Sequence, residues 1–207
     1  MIYMENYLGA YEYWSLSRSK LNLSVIKTFS EHRKDIETIN NELESSYHRF
    51  QDKPQTFSNL SIIINEEKYI EEFKHNRCIT IEIFQDHSVL SMIDRAFLSA
   101  FRVFLNGVEP TDNEISLSIS NNGLYSNRIN GKIYHFRSII RKSKVFMYKP
   151  CGTIITDHTF DSDEIFFQPT PFSQWRIRLN NDNLDLSNLK SIEIKMDIEG
   201  YYREIHN

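Results

Sequence analysis

The sequence predicts a mainly β protein: an antiparallel β-sandwich or jelly-roll-like domain preceded by an N-terminal α-helical segment. Three observations predict it. Apolar residues recur at helical spacing as far as Pro54 and at every second residue beyond it. The alternating segments after Pro54 are short and separated by turn-forming residues. Aromatic residues make up 13% of the 207-residue chain, with 14 Phe and 11 Tyr, a share that favours sheets over helical bundles. The organisation expected is a helical segment over 1–54 and a sandwich over 55–207. With only 6 Gly and 5 Pro, no flexible linker is expected between them.

In chain order, Tyr7, Tyr11 and Trp14 fall on one helical face and read as a cap for the next helix or an anchor for the N-terminus. Ile26, Phe29, Ile36, Ile39, Leu43, Tyr47 and Phe50 follow at steps of three, four or seven, a helical stripe. Ser30 is a candidate N-cap, with Phe29 inside a longer helix as the alternative. Phe29, Ile36, Leu43 and Phe50 keep a strict seven-residue step. An oligomer through helix 26–50 therefore stands beside a helix packed on its own domain. Proline lacks the amide donor and restricts its predecessor, so Asp52-Lys53-Pro54 ends the helix.

The strands expected next are 57–64 (FSNLSIII), 78–84, 114–120, 131–139, 144–149, 151–160, 173–179 (SQWRIRL) and 191–198 (SIEIKMDI). SNNG at 120–123 and NNDN at 180–183 read as turns, since these residues tolerate left-handed backbone. One segment stays open. Leu90, Ile93, Phe97, Phe101 and Phe104 lie at helical spacing, yet every position from Ala96 to Phe101 except Ser99 is apolar, as in a strand covered on both faces. In the last two strands Trp175, Ile177 and Leu179, then Ile192, Ile194, Met196 and Ile198, point one way. Arg176 and Arg178 point the other way, and are expected to meet Glu193 and Asp197 across a shared solvent face.

This ending resembles the C-terminal, B-subunit-binding region of the A subunit of the insecticidal toxin complexes, the Tc toxins. The resemblance is carried by Phe167, Pro169, Phe172, Ser173, Trp175 and Leu179, then Leu189, Ile192 and Ile194, and upstream by the Ala96–Leu105 segment before Gly107 and Pro110. It covers roughly residues 78–200. The chain departs from the family in placing Val108 and Glu109 between glycine and proline, and it has no room for the receptor-binding and channel regions. The resemblance implies that Ala96–Leu105 is a strand. It also implies a non-enzymatic docking module whose partner is another protein subunit, a toxin B/C-like component.

Bulk properties narrow the classes further. Net charge is −4 and no basic block forms a phosphate-tracking stripe, so nucleic acid is not an expected partner. No apolar run nears the roughly 20 residues of a membrane helix, so no membrane span is expected. The first residues show no basic region followed by an apolar one, so no Sec signal peptide is expected. Synthesis in the cytoplasm with non-Sec release fits that start. Cys78 and Cys151 read as two buried free thiols.

Asp161 and Asp163, with Asp157, His158 and Glu164, are the metal candidates. Carboxylates at i and i+2 suit calcium, and no other cofactor is expected. The competing reading of this stretch is a solvated acidic loop. The seven histidines give neither i, i+4 pairs nor His-x-His, and His135 reads as a half-buried structural histidine. No Gly-x-Ser-x-Gly elbow and no phosphate-cradling loop occurs, so catalysis is not expected. Tyr125, Tyr148, Tyr201 and Tyr202, near turns or the end of the sequence, could stack on sugar rings or anchor an interface. A carbohydrate-binding jelly roll is thus the alternative function, with a glycan as partner. The partner-binding candidates are Arg176, Arg178, Tyr201 and Tyr202.

Overall fold

A computed structural model describes residues 2–24, 26–47, 54–110, 114–137, 143–157 and 168–203. The elements run α1 (Ile2–Ser15), α2 (Phe29–Tyr47), β1 (Gln55–Ile64), α3 (Glu67–Asn76), β2 (Cys78–Glu82), β3 (Ile93–Asn106), β4 (Ile115–Ile129), β5 (Lys132–Arg137), β6 (Lys144–Tyr148), β7 (Ile154–Thr156), β8 (Ser173–Leu179) and β9 (Ser191–Tyr202). Two antiparallel sheets result, as a sandwich requires: β1-β9-β3, and β2-β8-β4-β6-β7 with β5 on the far half of β4. The inward rows foreseen from alternation, Trp175/Ile177/Leu179 and Ile192/Ile194/Met196/Ile198, are buried in one core. Trp175 stacks on Phe101 of the opposite sheet with ring centroids 4.5 Å apart.

The segment that periodicity left open is β3. Its two faces have different covers, which explains the unbroken apolar run. Leu98, Phe101 and Val103 enter the sandwich core. Phe97 instead joins a second cluster with Tyr13 and Leu16 of the N-terminal region and Tyr125 and Phe136 of the sheet. Tyr13 meets Phe97 and Phe136 edge-on at 5.3 and 5.1 Å. The anchor of α1 is therefore Tyr13 as well as the expected Tyr11 and Trp14, while the side chain of Tyr7 lies outside the described residues. Arg95 completes the attachment. Its Nε and Nη2 donate to the Trp14 carbonyl at 3.2 and 3.0 Å, placing a cation at the negative end of α1.

α2 differs from expectation in two ways. Its N-cap is Thr28: the Thr28 amide and hydroxyl both donate to the Glu31 carboxylate at 2.7 Å, and the Glu31 amide donates back to the hydroxyl at 3.3 Å. This capping box lies two residues before Ser30, so Phe29 is inside the helix, as the alternative reading had it. The hydrogen bonds from Thr28 lower the Glu31 pKa. Second, the buried side of α2 is Asp35, Ile39 and Ser46, packed toward α1. Of the apolar stripe Ile39 is buried and Leu43 half-buried, while Ile26, Phe29 and Ile36 face solvent (Tyr47's side chain and Phe50 lie outside the described residues).

Three further differences have local causes. SNNG is no turn, because the Asn121 and Asn122 side chains accept the Gly123 and Leu124 amides and the bend is absorbed as a bulge inside β4. The turn comes at Asn130-Gly131, where both residues have positive φ (49° and 74°), a two-residue hairpin closing β4 on β5. α3 was not foreseen: it buries only Ile70 and Phe73 and ends at Arg77 in left-handed conformation. Arg77 then donates to the Asn181 and Leu184 carbonyls at 2.7 and 2.8 Å, fastening that helix end to the link between β8 and β9.

That link crosses from one sheet to the other, so β8 and β9 do not share a solvent face. The expected Arg176/Arg178 to Glu193/Asp197 pairing is overturned for this reason. Both strands point their apolar rows at each other across the core, which sends their polar rows to opposite outer surfaces. Asp197 instead accepts from Arg102 Nη1 at 2.7 Å and from the Asn59 amide at 2.8 Å. Glu193 accepts from the Ser61 hydroxyl at 2.9 Å.

Tyr148, near a predicted turn, is buried, and its hydroxyl oxygen accepts the Leu105 amide at 2.7 Å, tying β6 to β3. Burial pushes its pKa up to about 12. A raised folded-state pKa gives stability fully present below the unfolded tyrosine value of roughly 10 and lost as pH rises through about 12. Alkaline titration of the unfolding midpoint should therefore fall above pH ~10 more steeply in the wild type than in Tyr148→Phe. Identical slopes would refute this assignment.

Candidate docking surfaces

The sequence stripe on α2 forms an outward ridge. Ile26 is 95% exposed, Phe29 87% and Ile36 41%. Phe29 and Ile36 lie two turns apart on one helical face, and Ile26 precedes them in the approach to the helix. Beside the ridge Arg33 and Glu37 are closed on one another at 3.1 Å. Large apolar side chains clustered at such exposure mark interaction surfaces.

The second surface is a sheet edge. β1 is bonded on one side to β9, and among the described residues nothing bonds its other side. The remaining edges are managed. β3 is sealed by Leu98 N–H donating to the Pro169 carbonyl at 2.7 Å, by Gln168 Nε2 donating to the Leu98 carbonyl at 2.9 Å, and by Asn127 bridging the Ala96 amide and carbonyl. β7 has three residues. β2 has five and ends on Glu82. β5 carries Lys132 and Arg137, and its His135 carbonyl accepts from Arg18.

Arg176 and Arg178 are exposed on the outer face of the larger sheet, opposite Thr80 and Cys78 respectively on β2. Arg176 Nε donates to the Cys78 sulfur at 3.2 Å, which raises the guanidinium pKa. Tyr201 and Tyr202 lie on β9 of the other sheet, so the four candidates do not converge on one site. Tyr201 is half-buried with its ring 5.8 Å from the Arg95 guanidinium, and Tyr202 meets Phe57 edge-on at 5.0 Å. Tyr125 and Tyr148 are buried, so neither ring is presented at the surface. His135 is exposed rather than half-buried, and of the two free thiols Cys151 is exposed and Cys78 half-buried: His135 and Cys78 lie on edge strands, and Cys151 lies in the turn between β6 and β7.

Asp161 and Asp163, the calcium candidates, lie outside the described residues, as do His158 and Glu164. Asp157 is described, and its Oδ2 accepts from Arg102 Nε at 2.8 Å. Among the described residues no group of three or more His, Cys, Asp or Glu is placed to hold a metal ion, and no helix is long and apolar enough to cross a membrane. A cavity of about 340 Å3 lies between the ends of β3 and β6, with Phe104, Tyr148, Cys151, Glu193 and Lys195 on its walls. Hydrogen bonding to Thr153 lowers the Cys151 thiol pKa.

No protein-family model matches this chain, and no curated protein matches its sequence. Among solved structures, a chain of the cryo-EM structure of Yersinia pseudotuberculosis TcaA-TcaB superposes with a TM-score of 0.39 at 9% identity, over 83% of this chain. A Tc toxin chain is thus a weak structural neighbour. This chain spans 11% of that chain's length. A nora virus structure superposes with a TM-score of 0.19 at 13% identity, over 74% of this chain and 57% of that one. Neither superposition is close enough to carry an argument about function.

Proposed function

We propose that this chain is a non-enzymatic docking module that binds another protein subunit through the outward ridge of α2. The observation that carries the reading is the exposure of Ile26 just before α2 and of Phe29 and Ile36 on it, although the neighbouring side of the helix, at Ile39, is already buried. A ridge one side chain wide fits a concave apolar groove, the helix-in-groove mode of recognition. The Tc-toxin resemblance of the sequence favours a toxin B/C-like component as that partner.

The test is affinity capture of partner proteins with the wild-type chain and with Phe29→Asp. Because Phe29 is almost fully exposed, Phe29→Asp should keep the wild-type unfolding midpoint. An aromatic hot spot contributes about 2 kcal/mol or more, so affinity should fall roughly 30-fold. Equal affinity of the two chains for the captured partner would defeat the α2 assignment. Turnover in a hydrolase screen that disappears with one His or carboxylate substitution would defeat the non-enzymatic one.

A further inference from the structure

We infer that α1 is a releasable cover: it opens from the sandwich and unravels while both sheets stay folded, baring Phe97, Tyr125 and Phe136. This motion is independent of whatever binds the α2 ridge. The two apolar clusters are separate. The sandwich core draws no described side chain from α1 or α2, so it closes without them. α1 is held to the sheets through the small cluster, where Tyr13 and Leu16 meet Phe97, Tyr125 and Phe136. These contacts gather at one end of the helix. Tyr11, Tyr13, Ser15 and Leu16 are buried, whereas Glu5 is exposed and Met4 and Leu8 are half-buried. Past the helix, exposed Arg18 donates to Glu12 and to the His135 carbonyl, closing the seam from outside.

The local sequence does little to hold α1 in shape. Isolated helices shorter than ~12–15 residues are marginal in water even when rich in alanine. α1 has 14 residues, with Gly9 in its interior and Tyr3, Tyr7, Tyr11, Tyr13 and Trp14 among the rest, all weaker helix formers than alanine. Its order comes from packing, so losing the seam removes it.

The seam is also strained from both sides. Leu16 ends α1 with a φ of 45°, in a Schellman turn whose Ser17 amide donates to the Glu12 carbonyl at 3.2 Å. Glycine is usual at that position. Leucine is held there by its burial in the small cluster. Opposite it, Arg95 has a φ of 50° where β3 slips register between Asp94 and Phe97. That twist brings its guanidinium to the Trp14 carbonyl and over the Trp14 ring, 4.7 Å from the centroid. Strain of this kind persists only while the surroundings over-determine it, and it collects in switch regions. Opening lets Leu16 leave the left-handed region, which favours the released form.

Hydrogen exchange of the full chain, read by mass spectrometry, tests this. Amides of residues 8–15 should exchange together, about a hundredfold faster than those of β8 and β9. Low denaturant should speed β8 and β9 steeply and α1 only weakly, because releasing α1 exposes little surface. Gly9→Ala has room, since nothing lies within 4 Å of the added Cβ. It should slow α1 exchange roughly fivefold, the helix propensity gained. Arg95→Gln should speed it roughly tenfold, through loss of a charged donor. α1 amides that match β8 and β9 in rate and denaturant dependence overturn the inference, because α1 would then open only with the whole fold. An α1 rate unmoved by Gly9→Ala overturns it too, since the helix would not unravel. An α1 rate unmoved by Arg95→Gln does the same, since Arg95 would not be holding the seam.

Discussion

Trp175→Ala is expected to lower the unfolding free energy by about 3–5 kcal/mol, the usual range for removing a large aromatic from a core. Three losses combine. The indole is fully buried, it stacks on Phe101 from the opposite sheet, and its Nε1 donates to the Pro171 carbonyl at 2.9 Å. Removing it leaves a cavity where the sheets face each other and strips the Pro171 carbonyl of that donor. Trp175→Phe restores most of the packing but not the donor, so it should fall between wild type and alanine. The measurement is the denaturant midpoint at constant slope. A shift no larger than that of an exposed control such as Gln174→Ala would refute the central placement of this side chain.

Asp94→Ala is expected to be as damaging, by about 3–5 kcal/mol, although it removes only a carboxylate. Arg128 Nε donates to Asp94 at 2.7 Å, with the two side chains 7% and 6% exposed. The rest of that guanidinium is spent on the carbonyls of Gln85, Ser91 and Ile93, and the second Asp94 oxygen accepts the Asn130 amide at 2.8 Å. Losing the acid leaves a buried cation uncompensated and a hairpin amide without its acceptor. Asp94→Leu with Arg128→Met should regain part of the loss, because an apolar pair removes the buried charge. Recovery stays partial because three backbone carbonyls lose their donor. If the double variant is as unstable as the sum of the singles, the two residues are not coupled and the account is wrong.

How much of this was legible in the sequence varied with how local the determining physics is. β8 was readable to the residue, since its alternation is strict and one face of the sheet is wet. β3 was ambiguous because α1 covers its second face, and a strand buried twice loses its period. α3 escaped because two buried residues in ten are too few to define a helical repeat. On α2 the apolar stripe was visible, but its direction was not. The buried side carries Asp35 and Ser46 around Ile39, so the stripe meets the packed side only along one edge. The free edge of β1 could not be read at all, because strand order within a sheet is set by contacts distant in the chain. Arg176 and Arg178 were placed on a strand correctly, whereas Tyr201 and Tyr202, expected beyond the last strand, lie within β9, and the sheet crossover scatters the four over separate faces.

The crossover between β8 and β9 also constrains how the protein can be made. β9 is the middle strand of its sheet and comes last in chain order among the described strands, pairing Ile62 with Ile194 and Val103 with Ile194 on its two sides. While the ribosome is still adding residues before 191, β1 and β3 have been extruded with no strand between them. The smaller sheet therefore assembles only after synthesis has passed β9, and until then an uncharged β-branched segment waits in the open. Long-range closure of this kind is slow and exposes nascent chains to misassociation. Ribosomes stalled at residue 190 should carry chains that resist folding and recruit holdase chaperones, whereas chains released past residue 203 should become protease-resistant in a single late step.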